Sequence, residues 1–167
     1  EPGAPDEVAV AAELLPLQEL PEPTLASLTE LSVGTLTLMG TDDLQGDVVA
    51  PPAGEFDSLV RVTNVGVVVD QASLADLLSD STAQMNQINA LVNTAVSGEF
   101  AGINLDYQGV SVAQKEAFSS FVDSLANALH AQDLTLAVTL NTPEETDGQW
   151  DSAGQDWAAI GQSADIV

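Results

Sequence analysis

Strand and helix patterns alternate along residues 59–167, and that order predicts an α/β chain of parallel strands joined by crossover helices. Two stretches carry most of the weight. "LTLAVTLN", residues 134–141, is apolar enough to be covered on both faces, as strands in a parallel sheet are. "GINLDYQ", residues 102–108, alternates instead. Ile103, Leu105 and Tyr107 fall on one face, and Asn104, Asp106 and Gln108 on the other, because successive side chains of a strand point opposite ways.

The elements follow in order. Residues 1–26 hold five of the eight prolines and six acids, and read as an acidic, Pro-rich linker with one short helical turn around residues 7–15. From Leu28, "LTELSVGTLTLMG" is a strand with a turn or bulge at Gly34, and 41–57 is a loop with a short β segment at most. "SLVRVTNVGVVV" is a buried strand running into a loop near Asn64 and Gly66. Two helices follow, "SLADLLSD" and "STAQMNQINALVNTAVSG". The second opens with Ser81 and Gln84 at capping-box spacing, closes at Gly98, and carries an apolar stripe of Met85, Ile88, Leu91, Val92, Ala95 and Val96. After the strand from Gly102 to Tyr107 comes a helix with a second such pair, Ser111 and Gln114, and a stripe of Phe118, Phe121, Val122, Leu125 and Leu129. The segment 143–155 reads as a loop leading to a short helix, "DWAAIGQSA". The chain ends on "DIV", where the pattern calls for another buried strand, so the reading expects further strands from continuing chain or another subunit.

Composition narrows the function. The 167 residues are 45% hydrophobic, enough for one sizeable core, and contain no cysteine, which removes disulfides and thiolate metal sites. Lys and Arg total 2 against 26 acids, a net charge of −24, so nucleic acid and anionic membranes are repelled. No apolar run is long enough to cross a bilayer. Such a charge balance, with almost no lysine, fits an extracellular or cell-surface setting. No cofactor or metal is called for. His130 is a lone histidine at a helix end, where it reads as an exposed cap. Glu144, Glu145 and Asp147 lack EF-hand spacing and read as a solvated loop.

Three polar side chains in register on one strand are the strongest functional signal, because each costs about 1–3 kcal/mol if buried without a partner. Inward-facing residues at the C-terminal ends of barrel strands are where sites are built. "AGINLDYQG" is similar to the D-x-x-D-x-D-x-E signature of glycoside hydrolase family 18, the chitinase-like TIM barrels, and to its "DGINIDYEG" form in bacterial spore-cortex and cell-wall members. "VTNVG" before the helix pair, the helix and strand after the motif, and "DWAAIGQSADIV" share that branch's order and spacing. The resemblance covers residues 28–167 and implies a (β/α)8 barrel of which this chain holds about half, with 27–167 as the partial barrel domain.

Position by position, the resemblance implies that the family's general acid falls on Gln108 and the aspartate that orients the substrate's N-acetyl group falls on Asp106. The middle acid falls on Asn104 and the first on Ala101, while Tyr107 faces the helices in a packing role. An amide has no proton to give, and a general acid contributes about 10²–10⁴-fold in rate. The expectation is therefore a family 18-like pseudoenzyme, with Asn104, Asp106, Gln108 and Trp150 as substrate-binding candidates for a glycan containing N-acetylglucosamine. Trp157, in a helix, is expected in the core. Gln108 is either natural or a deliberate replacement of Glu, and Ala101 favours the first. A scaffold subunit of an extracellular assembly and a working glycosidase that borrows its acid from elsewhere stay open as alternatives.

Overall fold

A computed structural model describes residues 11–14, 21–146 and 149–167. At its centre is a parallel sheet in the order β1 (Ala11–Leu14), β2 (Glu30–Met39), β4 (Asp57–Thr63), β5 (Gly102–Asp106) and β6 (Thr135–Val138). The remaining strand of this sheet, β3 (Asp43–Asp47), returns antiparallel along β2. The α/β expectation holds. Ala137 also bridges Ile166 in parallel, so the sheet continues beyond β6 at that point.

β2 changes neighbour half-way. Glu30–Val33 pair with β1, and Thr35–Met39 pair with β3. The switch is at Gly34, where the register against β4 also shifts, as a bulge requires. Its φ of 68° suits glycine, and a Cβ there would sit 2.9 Å from the Asp47 carbonyl oxygen. The strand β1 lies within the stretch read as a linker. A helical turn is not found at 11–14, because pairing with the edge of β2 overrides the local helix preference of Ala-Ala-Glu-Leu; residues 7–10 and 15 lie outside the described residues. The short helix α1 (Glu22–Leu25) follows, with proline in its first turn.

The helices cover one face of the sheet. Leu31, Val33, Val60, Val62, Ile103, Leu105 and Leu136 meet Leu74 and Leu77 of α2 (Gln71–Ser79), Leu91 of α3 (Ser81–Ser97) and the stripe of α4 (Lys115–His130). Phe118, Phe121, Val122, Leu125 and Leu129 of α4 are all fully buried, as their spacing predicts. Each such side chain contributes about 1.5–3 kcal/mol of burial. The capping pair of Ser111 and Gln114 also forms, over a 3-10 turn at Val112–Gln114.

In α3 the expected face is rotated. The buried row is Ala83, Gln87, Leu91 and Ala95, while Met85 and Val96 are exposed. Small residues at both ends let the helix approach the sheet, and Gln87 faces the Tyr107 hydroxyl, close enough to interact but outside hydrogen-bond geometry. The cap differs too. Asp80 accepts from the N–H groups of Thr82 and Ala83, and Gln84 instead donates to the Leu78 carbonyl at 2.9 Å. Aspartate one position earlier caps the helix in place of Ser81.

Toward the C-terminus, the segment read as a loop contains a hairpin, β7 (Glu144–Thr146) and β8 (Gln149–Asp151). Helix α5 (Trp157–Ser163) buries Ile160 and leaves Trp157 39% exposed, contrary to the core position expected for that ring. Trp157 opens the helix directly after its cap, Asp156, where packing against the sheet has not begun. His130 is exposed but not a simple cap. Its Nε2 lies 2.9 Å from Asp165 Oδ2, and the same carboxylate oxygen accepts from the Leu136 N–H.

Two outcomes follow for stability. A Cβ on Gly102 would fall 1.9 Å from the Thr135 carbonyl oxygen, so Gly102→Ala must push β5 and β6 apart. Urea unfolding is expected to show a loss of about 3 kcal/mol, the upper end for overpacking. Tyr107→Phe, in contrast, is expected to stay within about 1 kcal/mol of the parent, because the ring packs on Phe121 at 6.3 Å and the hydroxyl makes no hydrogen bond in return for its burial. A larger loss would show that the hydroxyl is structurally required.

Candidate functional site

Register sets the site. Arg61 lies opposite Asn104, and Thr63 opposite Asp106, so all four occupy the same face of β4 and β5. Val60 and Val62 share the helix-covered face with Ile103 and Leu105. The polar row read from the sequence thus occupies the face of the sheet away from the helices. Asn104 ties its neighbours together there: its Nδ2 donates to Ser32 Oγ at 2.9 Å, and its Oδ1 accepts from Thr139 Oγ1 at 3.1 Å.

Asp106 is the most constrained member, with only 5% of its surface exposed. One carboxylate oxygen forms an ion pair with the Arg61 guanidinium. The other accepts a hydrogen bond from the Gln108 side-chain amide. Arg61 and Lys115 are the two basic residues of the whole sequence. One of the two is thus committed to this carboxylate.

Gln108 is held from its backbone as well. Its N–H donates to Asn64 Oδ1 at 2.8 Å, and its carbonyl accepts from Asn64 Nδ2 at 2.9 Å. The same Asn64 nitrogen reaches the Asp70 carbonyl at 3.2 Å, and Asn64 itself is fully buried. A single amide therefore fixes the end of β5 to the loop after β4. The next residue, Gly109, turns the chain with a φ of 71°. Ala101, where the resemblance places an acid, has only its backbone engaged, to Ser58 and Thr135.

Asp106 and Gln108 are bonded to each other, while Asn104 shares the strand face of Asp106 and bonds to Ser32 and Thr139. Trp150 lies in β8 opposite Glu145, and its side chain is outside the described residues. Among the described residues no three His, Cys, Asp or Glu side chains gather at metal-binding spacing, and Asp147 lies outside them. Among the described residues no helix is long and apolar enough to cross a membrane. The sequence reading missed Arg61 and Asn64. A lone arginine in phase with Leu59 and Thr63 on an otherwise apolar strand was the available signal, because a charge there needs a partner.

Two hollows flank the group. A trough of about 480 Å³ is lined by Ser32, Leu59, Asn104, Ala137, Thr139 and Ile166. A groove of about 450 Å³, at the C-terminal ends of β2 and β4, is lined by Thr37, Met39, Asn64 and Val67–Val69. Asn104 borders the first and Asn64 the second, and Asp106 and Gln108 line neither. Chemically the group offers hydrogen-bond acceptors and donors and no side chain at position 108 that can release a proton.

No protein-family model matches the chain. It is 25% identical over 148 residues to the cortical fragment-lytic enzyme of Bacillus subtilis, covering 79% of this chain and 34% of that protein. It superposes on a class V chitinase from Pseudomonas fluorescens with a TM-score of 0.67 and 27% identity, over 83% of this chain and 45% of the other. A glycoside hydrolase family 18 N-acetylglucosaminidase from Paenibacillus barengoltzii shares the fold, with a TM-score of 0.71 at 16% identity, over 95% of this chain and 52% of that one. The chain is similar to a cortical fragment-lytic enzyme and to a chitinase. Its sheet and helices form part of a chitinase-like TIM barrel, and the chain spans about a third of the curated relative's length.

Breaking the ion pair tests the geometry. Arg61→Met keeps the length of the side chain and leaves Asp106 buried without its counter-charge. Chemical denaturation is expected to show a loss of about 2–3 kcal/mol. An unchanged midpoint would show that water or another group replaces the guanidinium at no cost.

Proposed function

We propose that this chain is part of a secreted or cell-surface family 18-like protein that holds an N-acetylglucosamine-containing glycan and does not hydrolyse it. The observation that carries the reading is the amide of Gln108 bonded to Asp106 at the place where the resemblance puts the catalytic acid. Gln keeps the reach of Glu without its proton. Its Nε2 has two N–H groups, so one remains to donate to a glycosidic oxygen while the other stays on Asp106. Asp106, with lone pairs beyond those used by Arg61 and Gln108, can accept an N-acetyl N–H. A neutral glycan also meets no repulsion from a protein of charge −24. Localisation outside the cell follows the same surface composition.

One observation favours a second reading. Both oxygens of Asp106 already have partners within the chain, which is what a structural tie requires and a binding site does not. On that reading the barrel is a scaffold in an extracellular assembly.

The full-length protein separates the two. Calorimetry with N-acetylglucosamine oligomers is expected to show binding, with no products released from chitin oligomers or peptidoglycan. Asp106→Asn should weaken affinity about tenfold, the difference between a charged and a neutral acceptor, and Lys115→Ala should leave it unchanged. Absence of heat with every oligomer would leave the scaffold reading, and turnover above background would refute the loss of hydrolysis.

A further inference from the structure

The Arg61 guanidinium and the Gln108 amide occupy the two oxygens of one carboxylate. We propose that Arg61 is a positioning residue that fixes the charge state of this group, so that the site would fail as a proton donor even with a carboxyl at position 108. The inference rests on the reading above and goes further: the loss of hydrolysis has a second determinant on β4.

Two carboxyl groups within hydrogen-bonding reach cannot both ionise cheaply, so they share one proton and one of them titrates high. That retained proton is what a general acid delivers. A guanidinium on the pair supplies the compensating positive charge, and the proton is then released at lower pH. Arginine holds its charge throughout, so this compensation does not switch off. Gln108 is neutral, and the ion pair at this group joins Arg61 on β4 to Asp106 on β5. Asp70, whose carbonyl shares Asn64 with Gln108, has its own carboxylate engaged by Ser73.

The test uses the full-length protein in four forms: parent, Gln108→Glu, Arg61→Met and the pair Arg61→Met/Gln108→Glu. Carbon-13 NMR of the carboxyl introduced at position 108 gives the pH at which it loses its proton. That pH is expected to lie at least about one unit, tenfold in proton affinity, higher in the pair than in Gln108→Glu alone. Equal titration in the two forms would overturn the proposal, as would turnover of chitin oligomers by Gln108→Glu alone. Turnover by the parent would instead refute the loss of hydrolysis itself. Should the pair variant not fold, Asp106→Asn/Gln108→Glu reads the same balance from the other side. With Arg61 left and the neighbouring negative charge gone, the introduced carboxyl should release its proton at lower pH than in Gln108→Glu. No displacement in that direction would also overturn the proposal.

Discussion

A buried carboxylate needs its charge met and its lone pairs occupied, and at Asp106 both demands are met from neighbouring backbone positions. Arg61 comes from β4, one register step below Thr63, and Gln108 comes from the residue just past the end of β5. The Arg61 contact exists only when the two strands pair in their observed register. A one-residue slip would turn Arg61 toward the helix-covered face, against leucine and phenylalanine. The ion pair therefore specifies the pairing of β4 with β5 as well as stabilising it, and Asn64 extends the same tie to the loop that follows β4.

This tie sits between two kinds of surface. Behind the sheet, the apolar side chains of β2, β4, β5 and β6 meet α2, α3 and α4 in a dry core. In front, Ser32, Asn104 and Thr139 form a polar line with hydrogen bonds across three strands. Gly102 lets β5 run close to β6 on that side, and Gly34 lets β2 pass from one edge partner to another. The architecture of a chitinase-like barrel section is thus kept, with an amide at Gln108 and a methyl at Ala101.

The strand-level features were legible in the sequence because they are local. A period of two placed Asn104, Asp106 and Gln108 on one face with no knowledge of the neighbours, and helical periodicity placed the Phe118–Leu129 stripe in the core. The misses depend on what packs against what. Met85 and Val96 read as part of a buried stripe, yet the face of α3 is chosen by the small Ala83 and Ala95 and by Tyr107 opposite Gln87. Ala11–Leu14 reads as helix or linker because its residues are, and only the edge of β2 makes it a strand. The Arg61–Asp106 pair joins residues 45 apart and needs the order of the sheet before it can be seen. Trp157 reads as a core residue because it lies in a helix, yet it opens that helix and is 39% exposed.

The central claim is that position 108 takes part in holding a glycan and not in cleaving it. It is tested most directly by NMR of the full-length protein during addition of tetrameric N-acetylglucosamine, following the Gln108 side-chain amide and the sugar signals in one sample. The account predicts that the Gln108 amide resonances move as the oligomer is added, while the tetramer stays intact over the course of hours. Shortened oligomers accumulating in the tube, or Gln108 resonances unmoved at saturating sugar, would contradict it.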